Sequence, residues 1–362
     1  MDNNIFSDKI NFLLEIAAEK HATDLHLCVG SPPLLRINAV LKPVPNTEKL
    51  SPEDMERIVW SYLDEEKAHT LRTNKALDFS YSKKGLGRYR CNIYLQRGTY
   101  AIAVRTLPLE IPAFDTLGLP EVIKTFIDKP KGLVLITGAT GSGKSTTLAS
   151  LIDMVNQKYN YHIITIEDPL EYLHRHKESL VTQREVGSDA LSFASALRSS
   201  LREDPDVIML GEMRDTETIS IALSAAETGH LVFSTLHTIG AVKAVDRIID
   251  AFPDSHQNQI RSQLCTVLEG IVSQELLPMS NGRGMIPACD VMLVNPAVRN
   301  LIREGKQYQI NNLIQSGGTE GMFSLERDLA RLYHDGIIDQ TTALVNAQDT
   351  VLLNQYIFMK NA

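Results

Sequence analysis

Gly138-Ala139-Thr140-Gly141-Ser142-Gly143-Lys144-Ser145 matches the spacing G-x-x-x-x-G-K-[ST] at every defined position. The chemistry this pattern serves is the holding of a triphosphate. Glycines let consecutive backbone N–H groups turn inward, Lys144 supplies a fixed cation, and the Ser145 hydroxyl can meet a Mg2+ ion. A helix opening here adds the positive end of its dipole, so Gly138 to Thr146 are the candidate nucleotide-binding residues. Two further segments end in acids: Ile163-Ile164-Thr165-Ile166 runs into Glu167-Asp168-Pro169, and Val207-Ile208-Met209-Leu210 into Gly211-Glu212. Ligands of open α/β sheets lie beyond the carboxyl ends of the strands, so both tips are expected to converge on the phosphates. A site of this kind needs one carboxylate at the metal and one that orients or deprotonates water. The general pattern puts Asp just before the second glutamate; Gly211 stands there instead, which leaves open which acid serves the metal. His230 and His237 flank another apolar run. His237, at its carboxyl end beside Thr235 and Thr238, is the better placed to feel a γ-phosphate.

The elements that must position these residues follow from periodicity. Short apolar runs at Leu133–Thr137, His162–Ile166, Val207–Leu210 and Leu231–Ser234 alternate with helical patterns over 144–157, 192–203 and 215–228. Buried strands alternating with helices predict a parallel α/β sheet. From Ala241 onward the chain reads as mostly helical, with Ile260, Leu264, Val267, Leu268 and Ile271 forming one apolar stripe. The first hundred residues differ: an amphipathic helix over 3–20, a strand-like stretch from Asp24 to Lys42 broken at Gly30-Ser31-Pro32-Pro33, a capped helix start at Ser51-Pro52-Glu53-Asp54, and alternation from Leu77 to Leu107. Pro108, Pro112 and Pro120 cluster in a stretch with little periodicity, which marks a boundary and a hinge. Arg88, Arg90, Arg97 and Arg105 lie in the strands before it; they are a solvated strand face unless nucleotide reaches them.

The composition sets the class. The chain has 362 residues, 43% of them hydrophobic and 22% charged, with no apolar run of membrane-spanning length and no leader-like start, so a cytoplasmic protein is expected. The formal charge of −8 argues against a nucleic-acid binder. Its four cysteines include no C-x-x-C pair, which fits a reducing compartment and gives no support to a structural zinc.

At these residues the sequence resembles the secretion-ATPase superfamily, and within it the type IV pilus retraction ATPases. The likeness begins at Ala22-Thr23-Asp24-Leu25-His26-Leu27, takes in Gly87-Arg88-Tyr89-Arg90 and runs through the phosphate loop. Thr165-Ile166-Glu167-Asp168-Pro169 resembles the family's Asp box, Gly211-Glu212-Met213-Arg214-Asp215 its atypical Walker B box, and Ser234-Thr235-Leu236-His237-Thr238 its His box. Ala297-Val298-Arg299-Asn300-Leu301-Ile302-Arg303-Glu304 matches a C-terminal box of the retraction subgroup, except for Val298 where isoleucine is usual.

The resemblance implies an α/β fold: a RecA-like P-loop NTPase domain with a smaller N-terminal PAS-like α+β domain and a helical C-terminal region, divided as 1–107, a linker at 108–118, and 119–362. It implies a homo-hexameric motor that hydrolyses ATP with Mg2+ and turns its domains to power pilus retraction and twitching motility. That motor acts on an inner-membrane platform protein of the pilus machine, with an accessory paralogous ATPase as a further partner. Carried over residue by residue, Glu167 is the general base, Glu212 the Walker B acid that meets Mg2+ partly through water beside Ser145, and His237 the phosphate sensor. Arg90, Arg97 and Arg105 are the candidate arginine fingers. The rival readings are a pilus-extension or type II secretion ATPase, which carry an extra N-terminal domain and a tetracysteine insert, and a weakly hydrolysing accessory paralogue.

Overall fold

The computed structural model describes residues 3–37, 40–83, 85–108, 110–317 and 321–359, with side chains for all of these except 3–8 and 62. Close packing divides the chain into two compact units, Met1–Glu110 and Ile111–Ala362.

The first unit runs α1 (Asn3–Glu19), β1 (Asp24–Cys28), β2 (Leu34–Ile37), β3 (Val40–Pro43), α2 (Pro52–Tyr62), α3 (Glu65–Asn74), β4 (Ala76–Lys83), β5 (Gly87–Gln96) and β6 (Thr99–Thr106). Its sheet is antiparallel, in the order β3-β2-β1-β6-β5-β4. Alternation along the strands explains the two faces. Leu25, Leu27, Tyr89, Cys91, Ile93, Ile102 and Val104 share one buried cluster with Leu13 and Leu14 of α1 and Ile58 and Val59 of α2. The intervening residues form the other face, where the register lines up Arg36, Asp24, Arg105 and Arg90 across four strands. Ser51 starts α2 through a reciprocal cap with Asp54, in which each side chain accepts the other residue's backbone N–H at 3.0 Å.

The second unit contains β7 (Gly132–Thr137), α4 (Lys144–Lys158), β8 (His162–Glu167), β9 (Leu180–Glu185), α5 (Phe193–Ser200), β10 (Val207–Leu210), α6 (Thr216–Glu227), β11 (Leu231–Leu236), α7 (Ala241–Asp250), α8 (Asp254–Val267), β12 (Leu268–Pro278) and β13 (Met285–Leu293). Five helices close it: α9 (Pro296–Arg303), α10 (Ile310–Ser316), α11 (Leu325–His334), α12 (Gln340–Asn346) and α13 (Thr350–Phe358). Its seven-stranded sheet has the order β13-β12-β7-β11-β10-β8-β9. Every pairing is parallel except that of β12 with β13.

The unbroken apolar runs of the central strands follow from burial on both sides. In β7, Leu133 and Leu135 pack among residues of α6, α7 and α8, while Val134 and Ile136 pack with Leu148, Leu151, Ile152 and Val155 of α4. β8, β10 and β11 divide their side chains between the same two cores. Truncating Leu135, fully buried, to alanine removes contacts worth about 2–5 kcal/mol.

Two elements differ from the sequence expectation. The apolar stripe attributed to one helix ends at Val267; Leu268 to Pro278 form β12, parallel to β7, and β13 returns beside it. Ile260, Leu264 and Val267 do keep helical spacing, but Gly270 lies where a Cβ would come within 2.2 Å of the Phe126 ring, and Ile271-Val272 continue as a buried strand. The C-terminal region is thus helical on either side of a two-stranded hairpin. β9, an edge strand of mixed polarity, carried no clear period.

Candidate functional site

The phosphate loop hangs between the end of β7 and the start of α4. Its glycines occupy backbone conformations that side chains disfavour: φ is 143° at Gly138, 83° at Gly141 and 87° at Gly143. Space also forbids a side chain at two of them. A Cβ on Gly138 would lie 2.3 Å from the Gln274 carbonyl oxygen, and one on Gly143 2.9 Å from Gln274 Nε2. Gly143 leads α4 without any side-chain cap, so the first N–H groups of that helix face the loop. Lys144, 8% exposed, donates from Nζ to the carbonyls of Gly138 at 2.9 Å and Ala139 at 2.8 Å. Burial pushes its ammonium below the ordinary value, against the pull of Glu171 and Glu212.

Glu167 ends β8, also 8% exposed. Its Oε1 accepts from Thr165 Oγ1 at 2.7 Å and from Gln183 Nε2 at 3.4 Å, and its Oε2 accepts from the Glu171 N–H at 3.4 Å. Burial outweighs these bonds and lifts its pKa to about 7. A carboxyl poised there can exchange a proton at neutral pH. Glu212 follows β10; Arg214 forms an ion pair with its Oε1, and His237 Nε2 lies 3.3 Å from its Oε2. Thr235 Oγ1 donates to the Gly211 carbonyl at 2.6 Å, which ties β11 to the tip of β10.

These groups line one cavity of about 930 Å3, bounded by the phosphate loop, Glu167, Glu212, Arg214 and His237 and walled by Tyr172, His174 and Phe193. Tyr172 OH shares a hydrogen bond of 2.9 Å with Thr146 Oγ1. Burial holds the imidazole of His174 down to about 4, so it is neutral at pH 7. An uncapped helix terminus, a buried lysine and glycines that keep the wall open fit a nucleotide's phosphates. The Ser145 hydroxyl and the Glu212 carboxylate are hard oxygen donors suited to Mg2+. Among the described residues no group of three or more His, Cys, Asp or Glu side chains could hold a metal.

The structure therefore brings Lys144, Glu167, Glu212 and His237 to one cavity and leaves His230 out. His230 stands at the opposite end of β11, its Nδ1 2.9 Å from the Ala225 carbonyl. The three candidate fingers belong to the first unit and do not form one group. Arg90 and Arg105 are direct partners across β5 and β6, with Arg105 Nε donating to Asp24 Oδ1 at 3.0 Å and Arg90 Nε 3.8 Å from Asp78 Oδ1. Arg97 sits in the turn beyond Gln96 with φ 49°, seven residues along the chain from Arg90 and so on the order of 20 Å away. In the C-terminal box, Val298 and Ile302 are fully buried and Arg303 is exposed. Arg299 turns inward: it donates to the carbonyls of Cys265 and Thr266, each at 2.8 Å, and pairs with Glu269 at 2.7 Å.

Sequence reasoning missed Arg214 and Gln274. Arg214 lies two residues beyond Glu212, in the segment between β10 and α6. Gln274 had no signal, because its partners, Ser142 and Thr147, lie more than 120 residues earlier.

Comparison with known proteins agrees with this geometry. A family model described as "Type II/IV secretion system protein" matches residues 101–323. The chain is 43% identical over 339 residues to the type IV pilus retraction ATPase PilT of Pseudomonas aeruginosa, covering 94% of this chain and 98% of that protein. It is 39% identical over 335 residues to the type IV pilus ATPase PilU of the same organism, covering 92% and 87%. A crystal structure of the pilus retraction motor PilT with bound ADP superposes with a TM-score of 0.89 at 47% identity, covering 95% of this chain and 98% of that one.

Proposed function

The chain belongs to the type II/IV secretion system protein family, and from that premise we propose that it is an ATPase motor that powers retraction of a type IV pilus. The observation that carries this reading is the convergence of the uncapped α4 terminus, Lys144, Glu167 and Glu212 on one cavity. ATP and water give ADP and phosphate there. Glu167 is the general base: it takes a proton from the water that attacks the γ-phosphorus, a role its raised pKa suits. Lys144 and the backbone N–H groups of the loop offset the charge of the phosphates, Arg214 and His237 orient Glu212, and His237 senses the γ-phosphate. Mg2+, when bound, neutralises phosphate charge, with Ser145 and Glu212 as its protein ligands, the latter partly through water.

The working form is a homo-hexameric ring, in which Arg90 and Arg105, or else Arg97, reach the phosphate of a neighbouring chain. Their separation along the sheet means that they cannot all serve one phosphate group from one chain. The ring works against a pilus platform protein at the cytoplasmic side of the inner membrane. No helix among the described residues is long and apolar enough to cross a membrane. A second reading is a weakly hydrolysing accessory ATPase beside a principal motor, since the chain is also similar to a second type IV pilus ATPase, PilU. Steady-state ATP turnover of the purified chain, measured beside twitching of cells in which it replaces the resident retraction motor, separates the two. Turnover and restored twitching are expected; weak turnover without twitching favours the accessory role, and no turnover refutes the motor.

A further inference from the structure

Two neighbouring residues at the middle of β12 reach into the two loops on which the pocket depends. Successive strand residues face opposite sides. Gln274, 1% exposed, faces the phosphate loop: its Nε2 donates to the Ser142 carbonyl and its Oε1 accepts from Thr147 Oγ1 at 2.9 Å. Ser142 precedes α4 and Thr147 lies in its first turn, so a single amide fixes the loop against the helix that follows. Ser273, 4% exposed, faces the other way, and its Oγ accepts the Gly240 N–H at 2.8 Å. Asp290, directly opposite Ser273 in the β12–β13 register, accepts the next N–H, that of Ala241, through Oδ2 at 2.8 Å.

Gly240 and Ala241 begin α7, and Gly240 offers no side chain to cap it. Helix starts normally find such acceptors in their own sequence. Here they come from across the sheet, three residues beyond His237. Placing a carboxylate there has a cost: burial raises Asp290 to about 6, and its Oδ1 is shut from solvent without a hydrogen-bond partner.

We propose that the β12–β13 hairpin is a positioning brace with two arms, Gln274 setting the phosphate loop and Ser273 with Asp290 setting the loop that carries His237. The proposal rests on the nucleotide-pocket reading above. The arms act on different steps. The phosphate loop holds ATP and ADP alike, so its distortion weakens binding; the His237 loop carries the γ-phosphate sensor, which has no partner on ADP, so its distortion slows turnover more than it weakens ADP binding.

The test uses the full chain, with ADP affinity by calorimetry, steady-state ATP kinetics and a melting curve for each variant. Gln274→Met keeps the volume and removes both hydrogen bonds; ADP affinity should fall about tenfold or more. Thr147→Val should lower affinity in the same direction, and the double variant should be little worse than Gln274→Met alone, since the two share one contact. Ser273→Ala with Asp290→Ala should leave ADP affinity within about twofold and lower kcat about tenfold or more. Asp290→Asn, which still presents an oxygen to Ala241, should recover most of the kcat that Asp290→Ala loses. Lys144→Ala serves as the control. If it abolishes ADP binding while Gln274→Met leaves affinity unchanged, the brace is refuted and the pocket stands. If Lys144→Ala leaves binding intact, the pocket reading itself falls. Equal losses of affinity and kcat from both arms, or an Asp290→Asn no better than Asp290→Ala, would mean that the hairpin supports the fold without positioning either loop.

Discussion

Replacing Glu167 by glutamine tests the base through stability, before any turnover is measured. An unfolded glutamate titrates near 4.5, and burial at the end of β8 lifts this one to about 7. A proton bound more tightly in the folded state stabilises the fold only where it is bound. The contribution of Glu167 to wild-type stability should therefore be greatest below pH 4.5 and be lost as pH rises through 7, then level off. A shift from 4.5 to about 7 is 2.5 units, or about 3 kcal/mol at roughly 1.4 kcal/mol per unit. Glutamine has no such loss. Its oxygen can keep the donors from Thr165 and Gln183, and its amide meets only the weak Glu171 N–H contact at 3.4 Å, so the variant starts at most about 1 kcal/mol behind. The difference, variant minus wild type, should grow by about 3 kcal/mol between pH 4.5 and 8, or roughly 6–12 °C in melting temperature for a unit of this size. The assay is unfolding of both proteins across that range in EDTA without nucleotide. A second readout follows from the same titration: wild-type kcat/KM should climb on its acid side with an apparent pKa near 7, while the variant binds ATP and turns over about 10²–10⁴ times more slowly. A stability difference that stays flat with pH, or one that runs the other way, would refute the buried, proton-holding carboxyl. A larger loss of turnover from Glu212→Gln with binding intact would exchange the two roles.

Lys144→Ala should nearly abolish turnover while the fold survives; turnover within about threefold of wild type, roughly 0.7 kcal/mol of barrier, would refute the assigned site. Arg90→Gln with Arg105→Gln, and separately Arg97→Gln, should divide sharply in steady-state turnover of the assembled ring, with one set losing about 10³-fold and the other near normal. Equal, small effects would return all three to a solvated strand face. Arg303→Ala should leave ATP turnover and assembly near normal and abolish retraction counted in cells, whereas Arg299→Ala should lower the unfolding free energy by about 2 kcal/mol through the lost hold on Cys265, Thr266 and Glu269. Parallel loss of turnover and retraction in Arg303→Ala would assign that residue to the fold.

The site was legible where chemistry dictates local sequence. A loop that wraps phosphate needs glycines and a lysine at fixed spacing, and strands buried on both faces must be apolar without interruption, so Gly138–Ser145, β7, β8, β10 and β11 announce themselves. Leu268–Pro278 did not, because a short apolar run beside a helix satisfies either period, and what makes it a strand is the open flank of β7. Gln274 was hidden for a related reason. A buried amide is defined by its partners, and these come from the other end of the domain.

The C-terminal box marks the same limit from the opposite direction. Its pattern of Val298, Leu301 and Ile302 with Arg299 and Arg303 between them predicts an amphipathic helix, and α9 is one. Charge alone would put both arginines on the solvent face. Yet α8 ends at Val267 with carbonyls that lack helical partners, and Arg299 is the donor that meets two of them. Its neighbour Glu269 also pairs with Lys129 at 2.9 Å, so the guanidinium belongs to a network that ties α9 to the α8–β12 junction. Among the described residues, Arg303 is the cation of that helix that remains exposed to meet a partner. A transmission surface in this box therefore rests on one arginine, and a double substitution would confuse coupling with stability.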